Sequence, residues 1–549
     1  MTPIRADSVS GDESLTTRLA RLRLPVGAAL GMFVALYAAT TIRLLRVTEG
    51  HFTYALDDAY IHMAIAKNLA LHGVWGLQQD SFAAASSSPL WTALLAAVFA
   101  LGGVHEAVPL VLNTAFAVIG IVALGVILER ERIFGLPMFG VIAAVVLFAP
   151  TVPMIWIGME HSLHILLTLI VASLCGGLVR RYSAVRLTAL CAAAALMVAT
   201  RYEGLFVVAG CVVVLVARKR RGGAAALLAA GALPVACVGL WNMSHGWFFL
   251  PASIMMKQTV LPDSVGGTLW SSLLANIVHA DAPAAFLALR AVAVALLAQH
   301  RYQFGSSNDQ PLLVIFVTAA VLHLCLAKFG WLYRYESYLM ALGVLAIGLA
   351  GLKGVHADVV LVGILFAVLA ANGRTLVSHL VTANTAGHIF RQQHQMAAFI
   401  GRYYNAEAVA LNDIGAVSYF TNARVHDLEG LGSLEAAAQR RRGRVDADHI
   451  NAWLERDGVG VAIVYNHWFT EQQAFQHTWQ RVGEWRTDPS PAADSTVAFY
   501  AQNGEAATLL RAHLREFEGR LPSGVAQTLE PDGAEDSAHW DIHGPVERR

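Results

Sequence analysis

"PLWTALLAAVFALG", residues 89–102, is apolar throughout but only 14 residues long, and its reading decides how the chain is threaded. A helix needs roughly 20 apolar residues to cross the hydrocarbon core of a bilayer, so this stretch reads as a helix lying in or dipping into one interface. Further apolar runs recur on either side of it, near 25–42, 106–128, 136–155, 161–179, 184–200, 204–217, 224–242, 283–299, 310–328, 336–352 and 357–371. With 89–102 left as an interfacial helix, about eleven crossings remain. The turns that then share one side carry Arg130 and Arg132, Arg180 and Arg181, Arg218 to Arg221, Arg301 and Lys353. That is the cytoplasmic side by the positive-inside rule. Counting 89–102 as a full crossing would export the clusters at 180–181 and 218–221. Arg43 and Arg46, just past the first run, and Arg290, inside the run 283–299, oppose this threading but are outnumbered.

The composition agrees. Of 549 residues, 56% are hydrophobic and 14% charged, with a mean hydropathy of +0.52, whereas a soluble chain carries about a quarter charged residues. The reading is a polytopic α-helical membrane protein. A net formal charge of zero gives no electrostatic footprint for a nucleic-acid partner. The five cysteines all fall inside apolar runs without metal-ligand spacing and read as small buried hydrophobes. Residues 1–24, with Arg18, Arg21 and Arg23, form a cytoplasmic segment ahead of an uncleaved first anchor, since "YAATTIRLLR" lacks a small-residue cleavage site. Residues 25–372 are the membrane domain, with a first outer loop at 43–105. Beyond it, short runs such as "AVALND", "GVAIVYN" and "STVAFYA" alternate with polar helical stretches. They predict a soluble α/β domain over 373–505, extracytoplasmic by helix count, followed by a flexible Glu-, Asp-, Gly- and Pro-rich tail at 506–549.

Polar residues gather on the outer side. They are Asp57, Asp58 and His62 in "YALDDAYIHMAIAKNLALHG", Glu160 in "GMEHSL", and Arg201 and Glu203 in "TRYEGL". Lys257 in "LPASIMMKQ" and Arg334 and Glu336 in "LYRYESY" join them. Ionisable groups at the bilayer edge are expensive unless they pair or face a wet cavity, so acids and bases from five loops imply a shared polar site. Simpler readings exist for each. One of the tandem acids can cap the amphipathic helix that follows, which sets Ile61, Ile65 and Leu69 on one stripe. Glu160 can pair with His161 or His164, and Arg201–Glu203 and Arg334–Glu336 can be interfacial ion pairs. Capping accounts for one aspartate, not two.

Taken in order, these stretches resemble the GT-C superfamily of membrane glycosyltransferases. They are further similar to its bacterial cell-envelope branch, which includes the terminal arabinofuranosyltransferases. The resemblance rests on Asp57-Asp58-Ala59, Ser88-Pro89-Leu90-Trp91, Gly158-Met159-Glu160, Arg201-Tyr202-Glu203-Gly204, Leu250 to Lys257, Arg334-Tyr335, and "NDIGAVSYFTNARVHDLEGLG" from Asn412. It spans about residues 50 to 435, with His161, Tyr202 and Ala252 departing from the family's usual Thr, Pro and Asn. It implies a multi-pass protein of the bacterial inner membrane whose active site and C-terminal domain face the periplasm. The implied reaction takes a sugar from a polyprenyl-phosphate donor to a hydroxyl of a glycan, lipid or protein acceptor. Asp57 is then expected as the base, with Asp58 close behind. Glu160, His62 and Glu203 would position the acceptor or a cation, and Lys257, Arg201 and Arg334 would hold the donor phosphate. Asp58, Glu160 and His161 are the candidate ligands should a divalent ion, Mg or Mn, take part. The alternative is a transporter or flippase of a lipid-linked sugar, which predicts discontinuous helices and midplane polar groups. A non-catalytic scaffold predicts that the paired acids can be replaced without consequence.

Overall fold

The computed structural model describes residues 15–255, 311–353, 373–441, 447–465, 478–490 and 494–531. The expected crossings at 283–299 and 357–371, and with them Lys257 and Arg301, lie outside the described residues. Among the described residues, four helices are long and apolar enough to cross a membrane: Arg21–Val47, Val108–Arg130, His161–Arg180 and Arg221–Ser244. The first is part of a longer helix, Leu15–Val47, which starts inside the expected N-terminal segment. Shorter apolar helices run over Gly135–Phe148, Ala184–Thr200, Gly204–Ala217, Pro311–Leu326 and Ser337–Leu352. The run 136–155 is broken into Gly135–Phe148 and Thr151–Trp156. Pro150 has no N–H to continue the ladder, and its ring meets the preceding turn. Cys175 and Cys211 are buried in the bundle, but Cys237 is exposed on its surface.

Pro89–Gly102 is a helix of about 21 Å at 1.5 Å per residue, short of the roughly 30 Å hydrocarbon core. Its buried face, with Trp91, Leu95 and Phe99, does not join the bundle core. It packs with Asp58–His72 into a second core shared with the C-terminal sheet. These two helices therefore form a layer between bundle and sheet.

Among the described residues the sheet has six strands: β1 (Ala408–Leu411), β2 (Arg424–Asp427), β3 (Val461–Val464), β4 (Gln480–Arg486), β5 (Thr496–Ala501) and β6 (Ala526–Leu529). Their order is β2-β1-β3-β5-β4-β6. β1 pairs in parallel with β2 and β3, and the remaining pairings are antiparallel. β1 and β3 read as unbroken apolar runs because both faces are covered. Val409, Leu411 and Ile463 face the core shared with Asp58–His72, while Ala408, Ala410 and Val464 face helices Leu434–Arg441 and Ala447–Arg456. The expected boundaries sit elsewhere in this packing. Helix Gly373–Ile389 buries Ala383 and Ala386 in the bundle core. The segment past 505 contributes helix Gly504–Phe517 and edge strand β6, so the expected tail begins with folded domain.

Candidate active site

Three local features bring the first loop to the bundle. The Ala55 N–H donates to the Trp156 carbonyl at 2.9 Å. Gly158 turns the chain with φ +75°, and a Cβ there would lie 2.5 Å from the Tyr54 ring. Only glycine meets both demands at no cost. Ser88, from the "SPLW" stretch, donates to the Thr200 carbonyl at 2.6 Å, tying that loop to the turn that carries Arg201.

Arg201 follows helix Ala184–Thr200, and Glu203 precedes helix Gly204–Ala217. The guanidinium donates to Glu160 Oε1 at 2.5 Å and to Glu203 Oε1 at 2.6 Å, with all three side chains largely buried. Burial opposes the charge on Glu203, but the adjoining guanidinium outweighs it and draws the carboxyl down to about 2. Burial likewise opposes charge on Glu160, and Arg201 and His62 together hold it below the usual carboxylate range. His62 Nε2 lies 3.9 Å from Glu160 Oε2, and its Nδ1 is 2.9 Å from the Thr92 hydroxyl. Glu160 therefore pairs with Arg201 and His62 rather than with His161 or His164.

Arg334 leaves a left-handed turn: Gly330, Trp331, Leu332 and Tyr333 have φ +97°, +48°, +63° and +63°. Consecutive non-glycine residues in this region each cost about 1–2 kcal/mol, a strain typical of functional segments. Glu336 closes the turn by accepting the Gly330 N–H. Arg334 pairs with Asp58, not with Glu336, and its other terminal nitrogen donates to the Tyr335 hydroxyl at 2.9 Å. The sequence placed these acids and bases on one side, and the structure joins Asp58, His62, Glu160, Arg201, Glu203 and Arg334 in one neighbourhood.

Asp57 goes elsewhere. The backbone N–H groups of Gly415 and Ala416 donate to its Oδ2 and Oδ1 at 2.6 and 2.8 Å. They open the short helix Gly415–Phe420 of the C-terminal domain. Asp57 makes no side-chain bond to the helix it precedes. The chain passes from β1 to β2 on one side and later to β3 on the other, so the C-terminal end of β1 is where such sheets receive ligands. Asp57 fills that position. Asp413, two residues past β1, shares a hydrogen bond with Asp57 and accepts one from Gln393 at 2.6 Å. Burial raises both carboxyls, and the Asp57 charge pushes Asp413 further up. One proton shared between them satisfies the pair. Both oxygens of Asp57, the expected base, are thus committed to the sheet domain. Asp413 stood in a recognised stretch, yet the sequence reading gave it no role. Its signal was an acid at the end of an apolar strand, two residues before a glycine.

A cavity of about 270 Å³ opens beside this network, lined by Ser87, Arg201, Glu203, Ser253, Lys328 and Tyr335 and by apolar groups including Phe206, Leu250 and Ile254. Among the described residues, no three His, Cys, Asp or Glu side chains are placed to hold a metal ion. Asp58 and Glu160 face guanidiniums, and both ring nitrogens of buried His161 lack hydrogen-bond partners.

Comparison with known proteins adds the fold. A family profile described as "Domain of unknown function (DUF8728)" matches residues 385–500, most of the sheet domain. None of the curated proteins matches the sequence. The structure of ArnT from Cupriavidus metallidurans bound to undecaprenyl phosphate is similar at 13% identity and TM-score 0.50, over 87% of this chain and 99% of that one. Its apo state gives 14% identity and TM-score 0.50 over the same shares. The Archaeoglobus fulgidus oligosaccharyltransferase in complex with Zn and sulfate aligns at 11% identity and TM-score 0.47, over 88% of this chain and 77% of that one. The chain is a multi-pass membrane protein that shares its fold with ArnT.

Proposed function

We propose that this chain is a membrane glycosyltransferase that moves a sugar from a polyprenyl-phosphate donor to a hydroxyl of a cell-envelope glycan, lipid or protein. The observation that carries the reading is the buried ion network, Asp58–Arg334 beside Glu160–Arg201–Glu203, assembled from four separate loops, with Arg201 and Glu203 lining one cavity. Such a network is costly to bury and weak evidence of stability, but it suits a site that must manage charge.

Asp58 takes the role of base. As the acceptor oxygen attacks the anomeric carbon, Asp58 removes the hydroxyl proton, and the bond from that carbon to the phosphate oxygen breaks. The electron pair leaves with the lipid phosphate, so one displacement inverts the anomeric configuration. Arg334 orients Asp58, while Glu160 and His62 position the acceptor and Arg201 and Glu203 hold Glu160 in place. The site works on the periplasmic face of the bacterial inner membrane, and arabinofuranosyl donors are the first class to try.

The test is transfer by purified protein in lipid nanodiscs, supplied with labelled polyprenyl-phosphate sugars and envelope acceptors. Asp58→Asn should lower the rate by about 10²–10⁴-fold without loss of folding, the usual worth of a positioned base. Transfer at the wild-type rate in that variant overturns the assignment. A transporter would leave all label on the carrier.

A further inference from the structure

We infer that, among the described residues, Lys328 rather than either buried arginine is the cation that meets the donor's phosphate. This deepens the proposed transfer reaction and rests on it. The arginines are spent on the protein itself. Both terminal nitrogens of Arg201 face Glu160 and Glu203, and those of Arg334 face Asp58 and the Tyr335 hydroxyl. Their remaining Nε atoms are buried. A phosphate could reach Arg201 only by displacing a carboxylate, which would leave a buried charge unpaired, and could reach Arg334 only by displacing Asp58 or the Tyr335 hydroxyl. The acids of the network outnumber its guanidiniums, so an incoming phosphate needs a further cation.

Lys328 supplies one. It is exposed and lines the same cavity as Arg201 and Tyr335, and its ammonium has no partner among the described residues. Its backbone, by contrast, is pinned. The Lys328 carbonyl lies 3.1 Å from His323 Nε2, and Phe329 is buried against the His323 ring. The left-handed turn begins at the next residue and delivers Arg334 to Asp58. A single short loop thus carries a free ammonium into the cavity and a committed guanidinium to the acid. Ser87 and Ser253 add hydroxyl donors. Leu250, Ile254 and Leu326 offer an apolar wall for the first isoprene units of a carrier. The ligand chemistry is a phosphate monoester on an apolar chain.

Binding of undecaprenyl phosphate, undecaprenol and inorganic phosphate to wild type, Lys328→Met and Lys328→Arg in nanodiscs tests this. Wild type should bind undecaprenyl phosphate, and Lys328→Met should weaken that binding at least about tenfold, the worth of one charge-assisted hydrogen bond. Binding of undecaprenol should not change, and Lys328→Arg should retain most of the phosphate affinity. In transfer assays the lost charge should raise KM for the donor more than it lowers kcat. Equal undecaprenyl phosphate affinity in wild type and Lys328→Met overturns the inference while leaving the transferase reading intact. Preference for inorganic phosphate over the lipid overturns it as a carrier site. Phosphate-lipid binding that depends on Lys328 in a protein that transfers no sugar upholds the inference and removes the reaction.

Discussion

Asp57 and Asp58 are adjacent in sequence, and the structure gives them different partners, so their replacement should separate two measurements. Asp57→Ala leaves the Gly415 and Ala416 N–H groups buried without an acceptor. Each orphaned donor costs about 1–3 kcal/mol, which weakens the seam between first loop and sheet domain by about 2–6 kcal/mol. Amide hydrogen exchange at 415–416 reads that seam directly. Even the lower figure corresponds to exchange about 30-fold faster, provided the amides open locally. Gly415→Ala attacks the same seam from the other side, because its Cβ would lie 2.3 Å from the Asp57 carbonyl oxygen. It should expose the same amides. Asp58→Asn should leave them protected while transfer is lost. Wild-type exchange at 415–416 in Asp57→Ala would refute the reasoning. Loss of transfer in Asp57→Asn with those amides still protected would return the role of base to Asp57.

Two further outcomes can be measured alongside. Burial raises the Asp57 and Asp413 carboxyls, so the docked pair holds a proton that the undocked pair would release. Docking is then strongest below the ordinary carboxylate range and weakens as pH rises through the pair's raised values. Asp58, Gln393 and Tyr465 are the polar groups facing the pair. Asp413→Asn keeps a donor toward Asp57 at every pH and should flatten the dependence of exchange at 415–416, after correction for intrinsic rates. Gly158→Ala meets both a φ of +75° and the Tyr54 ring. It should lower stability by about 2–4 kcal/mol, seen as a lower Tm in detergent, and a Tm equal to wild type would show that the turn can relax.

Much of this architecture was legible because hydrophobic periodicity states it openly. The bundle runs and the short strands at 408–411, 461–464 and 496–501 are read from apolar patterning alone. The charged residues were legible as a set, because charge beside lipid demands an explanation. Their partners were not. Arg334 could pair with Glu336 two residues away, and nothing local says that it reaches Asp58 across the chain. The division between the tandem acids had a geometric hint. Successive helical residues point about 100° apart, so two adjacent aspartates at a helix start point in different directions. Which of them turns to the bundle depends on a sheet domain more than 350 residues later, and that no local pattern encodes.

Why, then, should the loop of the proposed base spend one of its acids on docking? Asp57 fixes the start of helix Asp58–His72 against the C-terminal domain, and that start sets where Asp58 meets Arg334. The helix buries Ile61 and Ile65 in a core that also holds Val409, Ile463 and Phe499. Tyr60 meets His394 at 2.7 Å, and Lys67 donates to the Tyr419 carbonyl at 2.7 Å. The sheet domain is therefore one wall of the layer that presents the acid, not an independent module tethered to a finished bundle. Removing residues 373–549 would expose that apolar layer and release the Asp58 loop together. Loss of transfer in such a truncation says nothing about acceptor capture. Only point changes on the sheet domain away from the seam can isolate that role, because the network at Asp58 is built from both halves of the chain.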